Sequence, residues 1–143
     1  MSNSDRPSRP TPAVTPDGGY FRPGLVYVDD SATALSTMRR ALFPHSLLLD
    51  TYESLVALRT RPDNHPIVAA LLDVDLGDGV KGPDVAREIV AKHPRARIAF
   101  ITADTSPDRV KTLRTLGPVF DKSCDTAAAV TWLVGEAKRA ETA

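Results

Sequence analysis

A short apolar run, Ile67-Val68-Ala69-Ala70-Leu71-Leu72, stops abruptly at Asp73-Val74-Asp75 and passes into Gly77-Asp78-Gly79. A run of this length bounded by turn residues reads as a strand buried on both faces, the kind that parallel sheets use. In open α/β sheets ligands sit just beyond the carboxyl ends of the strands. Asp73 stands at such an end, so the remaining strand ends decide what it can work with.

The rest of the chain repeats one unit. Gly24–Val28 predicts a strand that ends at Asp29-Asp30. A helix follows, capped by Asp30 or Ser31, with the stripe Leu35, Met38 and Leu42 and with Pro44 beyond its end. Ser46–Leu49 predicts the second strand, Glu53–Arg59 a short helix, and Arg61-Pro62-Asp63-Asn64 a turn. After the Asp73 strand, Gly82-Pro83-Asp84 opens a helix whose Val85, Ile89 and Val90 face the core, closed by His93-Pro94. Arg97–Ile101 predicts a strand ending in Thr102. Ser106-Pro107-Asp108 starts a helix with Val110, Leu113 and Leu116 inward and Gly117 at its end. Pro118–Phe120 is a short fifth strand leading to Asp121-Lys122. The last helix spans about Asp125 to Ala140, with the stripe Val130, Leu133, Val134 and Ala137. Five βα units in succession predict an α/β fold: a doubly wound five-stranded parallel sheet of order 2-1-3-4-5, with its switch point between the strands ending at Asp29 and Asp73.

Size and charge narrow the class. The chain has 143 residues, the size of one domain. Residues 1–23, rich in Ser, Thr and Pro, cannot bury enough apolar surface to offset their ordering entropy and are expected to be a disordered tail, with the domain over 24–143. The formal net charge is +0, which excludes a nucleic-acid binder held by bulk electrostatics. The single cysteine, Cys124, cannot form an internal disulfide and suits a reducing compartment. With no run of membrane-spanning length and no secretory apolar segment near the N-terminus, a cytoplasmic protein without membrane contact is expected. His45, His65 and His93 have no metal-ligand spacing.

The strand ends collect Asp29, Asp30, Asp73, Thr102 and Lys122. Carboxylates gathered at one place repel one another unless a cation joins them, and hard oxygen ligands with an incomplete shell suit Mg²⁺. A hydroxyl and an ammonium opposite them suit a phosphoryl group, and a carboxylate can itself be the nucleophile, giving an aspartyl phosphate.

With Val28-Asp29-Asp30, Leu71-Leu72-Asp73-Val74-Asp75, Phe100-Ile101-Thr102-Ala103 and Phe120-Asp121-Lys122 in this order on successive strands, the chain resembles the receiver domain of two-component response regulators over about residues 24 to 140. The resemblance implies that Asp73 is the phosphoacceptor and that the protein is not a turnover enzyme. It implies Mg²⁺ held by Asp30 directly, by Asp29 directly or through water, by Asp73 and by the backbone carbonyl of Asp75. Thr102 and Lys122 would bind the phosphoryl group, with Ala103 offering its amide. A histidine kinase or histidine phosphotransfer protein would be the donor, and phosphorylation would change the binding of an unnamed downstream protein. Three positions and one loop length depart from the family pattern. Gly77 and Ser123 stand where prolines are usual, the loop from Gly77 to Gly82 is one residue longer than that pattern has, and the aromatic switch position holds Val119. A cis peptide before Ser123 is not expected, because outside proline it costs roughly 2.5–4 kcal/mol. Phe120 lies one place along and points to the other face. Asp73-Val74-Asp75 also resembles the first motif of haloacid-dehalogenase-type phosphatases, but only a short chain follows it here. A receiver-like scaffold that never takes phosphate is a third reading. Trp132 lies off the stripe of the last helix and is expected to be at least partly exposed. With Arg109, Lys111 and Arg114 it is expected to form the surface for a partner or a second copy.

Overall fold

The computed structural model describes residues 13–14 and 20–142. Most of the expected tail, residues 1–23, lies outside the described residues. Within that stretch, Ala13–Val14 pairs antiparallel with Tyr20–Phe21.

The five strands of the main sheet are β1 (Leu25–Val28), β2 (Leu49–Tyr52), β3 (Ala69–Asp73), β4 (Arg97–Thr102) and β5 (Val119–Asp121). Every pairing is parallel and the order is β2-β1-β3-β4-β5, as expected from the alternation of elements. The helices are α1 (Ala32–Leu42), α2 (Leu55–Leu58), α3 (Gly82–Lys92), α4 (Pro107–Arg114) and α5 (Thr126–Thr142). The central strands β1 and β3 are buried along their whole length, because helices cover both faces of the sheet. One core joins Val26, Val28, Ala70, Leu72 and Phe100 to Leu58 of α2, Val85 and Ile89 of α3 and Leu113 of α4. The other joins Leu25, Tyr27, Leu71 and Ile101 to Leu35, Met38 and Leu42 of α1 and to Ala129, Leu133 and Ala137 of α5. Alternate residues of each strand feed opposite cores, which is the period-two rule applied to a two-sided sheet. Full burial of one such aliphatic side chain stabilises the fold by about 1.5–3 kcal/mol.

Several local expectations shift. The second strand is Leu49–Tyr52, not Ser46–Leu49. A 3₁₀ turn, Phe43–His45, prolongs α1 with Pro44 in its first turn, and Ser46 takes the left-handed conformation at φ 58°, so extended chain cannot begin until later. The short helix is only Leu55–Leu58, because Ser54 caps it by accepting from the Ala57 N–H. Ser31 is the cap of α1, accepting from the Ala34 N–H at 3.2 Å. Val90 and Leu116, expected inside, are 40% and 50% exposed. Val90 is five residues from Val85, far off its face of the helix, and Leu116 lies beyond the end of α4, where helical phase no longer applies. On α5 the buried set is Ala129, Leu133, Glu136 and Ala137, with Val130 and Val134 only half-buried. The stripe is rotated toward the small Ala129, which lets the helix lie close to the sheet. Trp132, three residues from Ala129, then sits on the flank of that stripe. It is half-buried, its ring centroid 6.4 Å from that of Phe120.

Candidate functional site

Register brings the expected residues to one edge. Val28 aligns with Leu72, Asp73 with Ile101, and Thr102 with Asp121, so four strands end together. Asp29 and Asp30 follow β1, Asp73 closes β3, Thr102 closes β4, and Lys122 follows β5 with its N–H donating to the Thr102 carbonyl at 2.9 Å.

Asp29, Asp30 and Asp73 form one acidic cluster, each offering a carboxylate oxygen within 4.8 Å of the others. Asp29 is fully buried and Asp73 is 6% exposed, whereas Asp30 faces solvent. The Lys122 ammonium lies 2.7 Å from Asp29 Oδ2 and 3.3 Å from Asp73 Oδ2. Burial, and then the neighbouring Asp29 charge, push the Asp73 carboxyl up to about 6, with Lys122 opposing them. Burial alone lowers Lys122, but its bonds and charges to Asp29 and Asp73 outweigh that and hold it above the ordinary lysine value. One ammonium facing three carboxyl groups leaves negative charge uncompensated. A small hard divalent cation fits that donor set.

The loop after Asp73 is built to turn sharply. Gly77, Asp78 and Gly79 all have positive φ, at 75°, 51° and 76°, and the Val80 N–H donates to the Gly77 carbonyl at 2.9 Å. That requirement accounts for Gly77 where the family pattern has proline. Gly82, at the start of α3, presses on the end of β3: a Cβ there would lie 2.9 Å from the Asp73 carbonyl oxygen and 3.1 Å from Val74 Cα. The Asp75 side chain leaves the acidic cluster. It pairs with Lys81 at 2.8 Å and with Arg109 at 2.5 Å, which hold it below the usual carboxylate range, the Lys81 bond foremost. Arg109 also approaches Asp104 at 3.6 Å. It is therefore engaged at the site and is not a free member of a basic face with Lys111 and Arg114.

Thr102 is buried at its strand end, but its hydroxyl is turned into the following loop, accepting from the Asp104 N–H at 3.1 Å. Ala103 is exposed beside it. Among the described residues no peptide bond is cis. Val119 packs on the core that includes Phe100, and Phe120 packs on the opposite core beside Trp132, as strand alternation requires. Besides Lys81, two contributors lie outside the sequence reading. One is Tyr27, whose hydroxyl donates to Asp29 Oδ2 at 2.5 Å. Its signal was available: positions 27 and 29 share a strand face, and a phenol is out of place in an otherwise aliphatic strand. Burial, then the bond to Asp29, raise its pKa well above the ordinary phenol value, so it stays a donor. The other is Arg109, for which sequence carries no signal, since its partner Asp75 is remote in the chain.

No protein-family model matches the chain. No curated protein matches its sequence. Solved structures do match its shape. A response regulator receiver domain protein from Methanospirillum hungatei JF-1 is 15% identical with a TM-score of 0.71, covering 85% of this chain and 98% of that one. A response regulator receiver domain protein from Clostridium thermocellum is 19% identical with a TM-score of 0.69, covering 84% and 98%. A response regulator from Burkholderia pseudomallei, solved with a phosphorylated aspartic acid, a calcium ion and citrate, is 16% identical with a TM-score of 0.67, covering 84% and 71%. The sheet order, the helices on both its faces and these likenesses together make the fold of residues 24–142 that of a response regulator receiver domain.

Proposed function

We propose that the chain acts in the cytoplasm as a response regulator receiver, accepting a phosphoryl group on Asp73 in a Mg²⁺-dependent reaction and signalling by a change in partner binding. The observation that carries this reading is Lys122 set between Asp29 and Asp73 at the carboxyl edge of a receiver fold, at 2.7 and 3.3 Å. The phosphorylated aspartic acid and calcium ion of the Burkholderia pseudomallei neighbour support it. Asp30, Asp73 and the backbone carbonyl of Asp75 would hold Mg²⁺, with Asp29 directly or through water. When bound, the ion would neutralise charge on the transferring group.

The donor is a phosphohistidine of a histidine kinase or a histidine phosphotransfer protein. A carboxylate oxygen of Asp73 bonds to phosphorus as the phosphorus–nitrogen bond breaks, and the electron pair stays with the imidazole, which takes a proton from solvent. Lys122 pairs with the new phosphoryl oxygens. The Thr102 hydroxyl, now bonded to the Asp104 backbone, rotates to donate to them, and the Ala103 N–H donates beside it. This redistribution of hydrogen bonds biases the loop after β4 and so the face seen by a partner. The downstream protein or a second copy would meet that face at α5 around Trp132 and at Lys111 and Arg114. Trp132→Ala should weaken association and leave phosphorylation unchanged.

The test is intact-mass measurement after treatment with a small phosphodonor. Wild type gains one phosphoryl group with Mg²⁺ and none with chelator, and Asp73→Asn gains none. Labelling of Asp73→Asn as efficient as wild type would remove Asp73 as acceptor. Sustained hydrolysis of a phosphate ester would point to a phosphatase instead, and no labelling at all to a scaffold.

A further inference from the structure

β1 is Leu25-Val26-Tyr27-Val28, and Tyr27 is its only polar side chain. It is 1% exposed and shares a core with Leu35, Met38, Leu71 and Ile101. An aliphatic residue would fill that volume without bringing a hydroxyl into an apolar layer, where an unpartnered one is costly. The hydroxyl is not unpartnered: it donates to Asp29 Oδ2 at 2.5 Å. The same oxygen meets the Lys122 ammonium at 2.7 Å, and Asp29 Oδ1 accepts from the Ser31 N–H at 2.9 Å. Both oxygens of Asp29 are thus occupied by donors from the protein itself. Asp30 is exposed, and Asp73 has the Lys122 contact at 3.3 Å.

We infer that Tyr27 is a positioning residue of the acidic site: from inside the sheet its hydroxyl commits Asp29 to Lys122, so that the ammonium is held between Asp29 and Asp73 and the direct contacts to a divalent cation fall to the other carboxylates. The inference rests on the receiver reading for the existence of the cation site, and it gives a role to a tyrosine that this reading does not use. Tyr27 approaches Asp29 from the core and Lys122 from the site mouth, so removing the hydroxyl leaves the surface of the site chemically unchanged. Any effect on a bound ion must then pass through Asp29.

Isothermal titration with Mg²⁺ alone, at fixed ionic strength, tests this on wild type, Tyr27→Phe, Asp29→Asn and the double variant. Tyr27→Phe should bind Mg²⁺ about threefold to tenfold more tightly than wild type, the ratio expected for one net hydrogen bond. Relieved of one donor, Asp29 turns toward the ion. In the Asp29→Asn background the same change should leave affinity unchanged within about twofold, as a cycle through one shared partner requires. Equal affinities in wild type and Tyr27→Phe, or the same gain in the Asp29→Asn background, would overturn the inference and leave the receiver reading standing. Absence of Mg²⁺ binding by wild type would overturn both. Native protein offers a check that needs no variant. The Tyr27 hydroxyl proton should give a slowly exchanging NMR resonance that persists at saturating Mg²⁺, and exchange at the rate of a free phenol would overturn the assignment.

Discussion

At Asp73 the fold holds a carboxyl group where its charge is costly. The carboxyl is pushed from 3.8 to about 6, first by burial and then by Asp29, with Lys122 opposing. Between those values the native state binds more protons than the unfolded chain. Stability therefore falls as pH rises through that window, and above about 6 the charged group destabilises the ion-free fold. Asp73→Asn should accordingly be more stable than wild type at pH 7.5 without Mg²⁺, by about 1–2 kcal/mol, and the difference should vanish at about pH 3, below both values. Urea denaturation at the two pH values checks this, and a wild type that gains stability between them would sink it. Lys122 is the counterpart. Lys122→Ala should still accept phosphate but lose the conformational response, because the only ammonium contacting Asp73 among the described residues is gone. Amide chemical-shift changes on phosphorylation should shrink in that variant, and wild-type-like changes would count against the role.

At the scale of elements, the start of α3 is braced on the end of β3. Gly82 has no room for a Cβ, since the nearest atoms are the backbone of Asp73 and Val74, which cannot swing aside as a side chain does. Gly82→Ala should cost about 1–3 kcal/mol and slow phosphorylation, because relief of the clash must move the segment that carries Asp73, the proposed acceptor. A variant with wild-type stability and wild-type labelling rate would show that α3 can retreat without Asp73. On the opposite side of the sheet α5 packs through the small, buried Ala129. Ala129 seats the helix, Phe120 and Trp132 pack at its flank, and Val119 occupies the other face of β5. The aromatic of β5 is thus engaged with α5 instead of standing at the position the family pattern uses as a switch.

Residues 24–142 are built on one parallel sheet with a separate core on each face. Ile89→Ala, in the core beneath α3, and Leu133→Ala, in the core beneath α5, should each cost about 2–5 kcal/mol. Their effects should add within about 0.5 kcal/mol, because the two side chains share no partner. Both variants should still unfold in a single transition, since β1 and β3 are buried by both layers at once. Two transitions in either variant would mean that the layers are separable.

Sequence alone determined the repeating unit and pointed to the sheet order, because strand-end acids, caps and prolines recur with short apolar runs and alternating βα units favour a parallel sheet. It also determined the membership of the edge that holds Asp29, Asp30, Asp73, Thr102 and Lys122, since parallel strands in this order can only end together. Short-range detail was less legible. The second strand lies at the sheet edge, where Asp50 and Thr51 blur the apolar signal, and on α5 the polar Glu136 lies inside while Val130 and Val134 are only half-buried, so hydrophobicity alone misplaces its phase. What the tertiary structure decided is which groups meet across long chain separations. Arg109 and Lys81 hold Asp75 away from the acidic cluster, Thr102 turns its hydroxyl into its own loop, and Tyr27 and Lys122 converge on one oxygen of Asp29. Those choices depend on distances and directions within a packed, low-dielectric interior, and no local pattern of residues encodes them.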